Sequence, residues 1–209
     1  MIIMKHITVV IGLVLCITAL GCITGPDDDT KVNTMTDLTD KTILMVVAPS
    51  NFRDEELFVP KEFFEKNGIK VVVASKEEGI ASGMLGGSIN VDIRVNDADA
   101  SDYDAVVFVG GSGVDSQRLY DDPGYLKLAK DANDAGKLVC AICLGPMIPA
   151  NAGLLSGRNA TVFTSGVSYI KERGATYTGT PVTRDGRIIT AEGPGAAEEF
   201  AETIIKAFE

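Results

Sequence analysis

Apolar residues fall into short continuous runs separated by stretches of helical spacing. The runs at 42–48 (TILMVVA), 69–75 (IKVVVAS), 103–111 (YDAVVFVGG) and 137–142 (KLVCAI) are apolar at nearly every position, as strands covered on both faces are. Residues 54–68 read as a helix that opens on Asp54, Glu55 and Glu56 and stops at Gly68, with Pro60 marking where it begins or bends. Residues 124–136 form an amphipathic helix ended by Gly136, 144–155 another helix, and 195–208 a closing one. Short strands are expected at 160–165 and 187–191. The segment 79–95 is glycine-rich with a period of two, which points to a hairpin or an edge excursion. This order predicts an α/β fold with a mostly parallel sheet between helices. Sites in such sheets lie at the carboxyl ends of strands, here the turns at 48–56, 110–113 and 141–145. No internal repeat and no second domain is visible.

The N-terminus follows different rules. Residues 1–21 carry a short basic start (Lys5, His6), an apolar run from Ile7 to Leu20 and small residues before Cys22. That is the layout of a secretory signal, and the run is shorter than the ~20 residues a membrane span needs. The ending Ala-Leu-Gly-Cys resembles a lipoprotein signal, with Cys22 as the acylated residue. An uncleaved anchor or a plain signal fits the same run. Residues 22–40 are acidic and poor in large apolar groups, so they read as a flexible tether. The folded domain is expected over 41–209. The expected location is the extracytoplasmic face of the cell membrane, through lipidated Cys22.

Charge narrows the partners. The 209 residues carry 19 basic and 29 acidic groups, a net charge of −10, and the only histidine is His6. An acidic domain is a poor match for nucleic acid. Asn159-Ala160-Thr161 is a glycosylation tripeptide at the start of an expected strand, and such tripeptides are common by chance.

Two of the four cysteines, Cys140 and Cys143, lie in the domain with Cys-x-x-Cys spacing. In extended chain such positions face opposite ways with Cα atoms about 10 Å apart, whereas a disulfide needs roughly 4.4–6.8 Å. A zinc site would need two more ligands, and the domain has no further cysteine or histidine, so no metal is expected. Cys140 reads as strand filling. Cys143 stands between a strand and a helix, with Ala141 two before it and Gly145 two after. Small residues at those places are what a sharp nucleophile elbow requires. A helix N-terminus beneath the elbow would lower the thiol pKa, and backbone N–H groups there could hold an oxyanion.

Three separated motifs, 53–60 (RDEELFVP), 107–111 (VFVGG) and 141–146 (AICLGP), together with the tail 184–200 (RDGRIITAEGPGAAEEF), resemble the ThiJ/PfpI superfamily and its parkinsonism-associated deglycase group. The resemblance covers residues 42–208. It implies a flavodoxin-like three-layer sandwich related to class I glutamine amidotransferases, with Cys143 as nucleophile. It also implies that Glu56, four before Pro60, hydrogen-bonds the cysteine, and that Gly110, Gly111 and the N–H of Leu144 form the oxyanion pocket. The chain departs from the family in three ways. Leu144 stands where the protease-like branch has histidine, and 161–171 has Thr164 and Ser165 but no histidine. The deglycase branch tends to have a basic residue where Glu192 stands. Without histidine a Cys–His dyad cannot form, which counts against a cysteine peptidase.

The function read from these residues is attack by Cys143, assisted by Glu56, on small electrophiles such as α-oxoaldehydes or on their adducts with protein side chains, with no cofactor. An oxidative-stress sensor, in which Cys143 becomes a sulfinate beside Glu56, and a binding module without turnover are the alternatives. The family resemblance adds a homo-oligomer as the expected assembly.

Overall fold

The structure is a computed structural model that describes residues 37–209. The signal, the tether up to residue 36 and the Cys22 anchor fall outside the described residues. In chain order the elements are β1 (Thr42–Val46), β2 (Ser50–Phe52), α1 (Asp54–Lys66), β3 (Lys70–Ser75), β4 (Gly79–Gly83), β5 (Ser88–Val91), β6 (Ile93–Arg94), β7 (Ala105–Phe108), α2 (Ser112–Ser116), α3 (Pro123–Asp134), β8 (Leu138–Ile142), α4 (Met147–Asn151), β9 (Asn159–Ala160), α5 (Val167–Glu172), β10 (Thr176–Tyr177), β11 (Val182–Asp185), β12 (Ile188–Ala191) and α6 (Ala197–Ile205).

Seven strands form one sheet in the order β11-β12-β8-β7-β1-β3-β6. Every pairing in it is parallel except β11 with β12. The continuous apolar runs follow from this placement, because alternate residues enter two cores. Leu44 and Val46 of β1 join the layer that holds Tyr125, Leu128 and Ala132 of α3 and Ile148 of α4. Ile43 and Met45 join the opposite layer, with Leu57 and Phe64 of α1 and Phe200 and Ile204 of α6. The result is the expected three-layer sandwich. Leu38, ahead of β1, is also buried in the second layer.

Several elements differ from the sequence reading. Helix α1 runs unbroken through Pro60. The ring removes only the N–H that would reach the Glu56 carbonyl one turn earlier, and Pro60 itself is buried. The expected strand at 160–165 shrinks to β9, which pairs with β10 in a separate two-stranded sheet. After Ala160 the chain turns away to follow the elbow rather than the sheet: Phe163 N–H donates to the Cys143 carbonyl. The helix expected over 144–155 is the five-residue α4, which starts only at Met147. The segment 79–95 does form a hairpin, β4–β5, paired through β4 with β2 as a small third sheet.

Candidate active site

The three turns singled out in the sequence converge at the carboxyl ends of β1, β7 and β8. Cys143 follows β8 directly and sits at φ +61°, in left-handed space that side chains other than glycine rarely occupy. This turn breaks the strand alternation. Cys140, Ile142 and Cys143 all face the layer of α1 and α6, whereas Cys143 would have faced away from Cys140 in extended chain. The turn is held from both sides. Cys143 N–H donates to the Ala191 carbonyl of β12 at 2.9 Å, and its own carbonyl accepts from Phe163 N–H at 2.9 Å. Gly145 allows the chain to double back: a Cβ there would lie 2.3 Å from the Phe108 carbonyl oxygen. Both cysteines are free and buried.

Glu56 lies in the first turn of α1 and is fully buried. Its Oε2 accepts a hydrogen bond from Gly110 N–H at 3.1 Å, while Oε1 has no partner. Gly110 is wedged between the thiol and the carboxyl. An added Cβ would fall 2.5 Å from Cys143 Cβ and 2.6 Å from Glu56 Oε2. The N–H of Gly110, expected to serve an oxyanion, is therefore engaged by the carboxyl. The N–H groups of Gly111 and Leu144 are the ones that bear on the Cys143 sulfur. Gly111 is at φ +110°, and a Cβ would strike the Asn51 carbonyl at 2.4 Å.

Burial dominates the titration of both groups. It pushes the Glu56 carboxyl up to about 8, against the pull of the thiol, of Gly110 N–H and of the Arg53 guanidinium. It pushes the Cys143 thiol up to about 12, reinforced by the Glu56 charge and opposed by the Gly111 and Leu144 N–H groups. The expected lowering of the thiol pKa by a helix N-terminus is thus overturned. The helix behind the elbow is one short turn that starts four residues on, and desolvation outweighs the N–H contacts. At neutral pH the pair holds both protons, and the first to leave belongs to the pair rather than to either group.

Above the pair is a pocket of ≈ 370 Å³. Its floor is Glu56, Gly111, Cys143 and Leu144, and its walls are Arg53, Met84, Ser112, Phe163 and Pro194. The walls were not read from sequence. Arg53 is tied to Glu55 through Nε–Oε2 (2.8 Å) and Nη2–Oε1 (3.0 Å), so Glu55 compensates a rim cation. Met84 is carried by the β4–β5 hairpin, and its sulfur accepts from Ser112 N–H at 3.3 Å. The hairpin tip is fixed by Asp54, which is buried and accepts from Leu85 N–H (2.8 Å) and Gly87 N–H (2.7 Å). Asp54 looked like one more acid in a helix's first turn. The only hint of its role was the run of glycines at 83, 86 and 87, two of which have no room for a Cβ beside its carboxyl. Thr164 and Ser165, on the loop where histidine was missing, are exposed, and neither lines this pocket.

An elbow cysteine paired with a buried glutamate at the switch edge of a three-layer sandwich defines a class of cysteine-centred α/β proteins. The model of the DJ-1/PfpI family matches residues 41–207, and the chain belongs to that family. It is 38% identical over 99% of its length to an uncharacterised protein of Methanocaldococcus jannaschii, covering 98% of that protein. It is 29% identical over 78% of its length to a deglycase of Thermococcus kodakarensis, covering 97% of it. Among solved structures, a ThiJ/PfpI domain protein from Brachyspira murdochii superimposes with a TM-score of 0.78 at 38% identity, covering 80% of this chain and 95% of that one.

Proposed function

We propose that the protein is a cysteine-dependent enzyme acting on small reactive carbonyls or their adducts, with Glu56 as the proton carrier of Cys143. The observation that carries this reading is the buried thiol–carboxyl pair at the floor of an otherwise apolar pocket. The similarity to a deglycase supports it. One proton arrangement of the singly deprotonated pair has the sulfur as thiolate, held by Gly111 and Leu144 N–H, with Glu56 protonated. The thiolate adds to an aldehyde carbon, and Glu56 gives its proton to the oxygen, forming a hemithioacetal. With an α-oxoaldehyde, the Glu56 carboxylate then carries the proton on that carbon to the neighbouring carbonyl carbon, while the proton of the new hydroxyl passes to the neighbouring carbonyl oxygen. The first carbon is oxidised to a thioester and the second reduced to an alcohol. Water releases the hydroxy acid and restores the thiol.

The test is lactate formation from methylglyoxal by residues 37–209. Turnover should vanish in Cys143→Ala and fall by about 100-fold or more in Glu56→Gln. Wild-type turnover no higher than that of Cys143→Ala would remove the enzyme reading. A second reading, an oxidation sensor, is favoured by one feature: the unpartnered Glu56 Oε1 beside a sulfur that already faces two N–H groups. Mild peroxide should then add two oxygens to Cys143 alone, as intact mass would show. An unchanged mass removes it.

The proposal keeps export and acylation at Cys22 as its cellular setting, supported by the sequence of residues 1–22. Metabolic labelling with an alkyne fatty acid should mark the full chain and fail in Cys22→Ala. An unlabelled wild-type chain would remove the anchor.

A further inference from the structure

Next to the reactive pocket is a second cavity of ≈ 270 Å³, lined by Phe163, Thr164, Glu192, Gly193, Pro194 and Gly195. Phe163 and Pro194 belong to both cavities, so the two adjoin across one aromatic ring. We infer that this second cavity is a subsite for a planar cation, an amidinium or guanidinium, on the substrate whose carbonyl reaches Cys143. The inference rests on the proposed carbonyl chemistry for its place in turnover, but not for the cation's binding.

Its position is fixed by the elbow itself. Cys143 is hydrogen-bonded through its N–H to Ala191, the residue before Glu192, and through its carbonyl to Phe163. The same two segments that clamp the nucleophile therefore carry the carboxylate and the ring. Phe163 is 45% exposed, unusual for so large an apolar side chain, and offers a face on which a flat cation can stack. Thr164 adds a hydroxyl that can accept a second hydrogen bond.

The charge balance of the joined cavities points the same way. Arg53 is neutralised by its paired contact with Glu55. Glu56 keeps its proton at neutral pH. Glu192 is exposed and has neither an ion-pair nor a hydrogen-bond partner for its carboxylate among the described residues. It is the one uncompensated charge along the combined surface. A carboxylate and an aromatic face together favour a delocalised cation over a neutral group and repel an anion.

The test uses three glyoxals on one phenyl ring, bearing amidinium, hydrogen or carboxylate at the para position. For the wild type, kcat/KM should rank them in that order. In Glu192→Gln the ratio of amidinium to neutral substrate should fall about fivefold, and in Glu192→Lys the ranking should reverse. A wild-type ranking blind to charge would overturn the inference. A parallel titration of the Cys143→Ala protein with benzamidine needs no turnover. Saturable binding that weakens about fivefold in Cys143→Ala/Glu192→Gln supports the subsite; binding indifferent to that change, or none, overturns it. If no glyoxal is turned over, the enzyme reading fails by itself and the benzamidine titration decides the subsite.

Discussion

Cys143 and Glu56 are coupled groups, and their titration follows from their burial. Alkylation by iodoacetamide should be slow at neutral pH and accelerate only in strongly alkaline solution, because burial and the Glu56 charge push the thiol up to about 12. In Glu56→Gln the thiol keeps its burial but loses the carboxylate charge that helps to raise it, so the profile should move to lower pH. An unshifted profile would mean that the Glu56 charge does not act on the thiol. Cys143 was legible in the sequence because the elbow leaves a local mark, small residues on either side of a cysteine after a strand, whereas Glu56 came only from the family resemblance. The fine assignment of N–H groups was not legible. Which of Gly110 and Gly111 turns toward the sulfur depends on the backbone rotation at Gly111, and the sequence Gly-Gly is silent about it. Arg53, Met84, Phe163 and Pro194 were missed because each reaches the pocket from a different segment, by sheet register rather than by spacing.

At the scale of elements, the β4–β5 hairpin is the part of the site that can come loose. Asp54 holds its tip by two backbone N–H bonds, and Met84 rides on that tip as a pocket wall. Asp54→Ala should cost about 2 kcal/mol in urea unfolding. It should also speed amide exchange at Leu85 and Gly87 more than in the central strands, which hydrogen-exchange mass spectrometry would resolve. Uniform acceleration throughout the chain would argue against a local latch. The central strands were readable because parallel strands under helices must be apolar on both sides. The outlying ones were not. Residues 160–165 have strand-like composition, but only Asn159 and Ala160 find a partner before the chain is drawn to Cys143. Pro60 likewise suggested a bend or a start, yet α1 continues through it, with Pro60 buried.

For the whole molecule, desolvation at the site should appear as a dependence of stability on pH. The folded chain holds the Glu56 proton up to about 8, while the unfolded chain releases it near the ordinary value of 4.5. Between those limits the unfolded state binds fewer protons, so stability falls as pH rises. One such group costs up to about 1.4 kcal/mol per pH unit in that window, or about 3–5 °C in Tm for a domain of this size. Melting curves between pH 5.5 and 8 should show that decline, and Glu56→Gln should flatten it. Asp122, whose carboxyl is lowered by Lys76 and by Gly124 N–H against the cost of burial, acts in the opposite sense and only in acid. A Tm that climbs from pH 5.5 to 8 would contradict the buried acid.

The left-handed backbone at residue 143 sets the interests of the fold against those of the chemistry. A side chain is disfavoured there by about 1 kcal/mol, and glycine is not. Cys143→Gly should therefore melt higher than Cys143→Ala, despite the smaller residue. Variants enriched for heat resistance alone would drift toward glycine at this position and lose the thiol, so a cysteine persists there only while something other than durability is being selected.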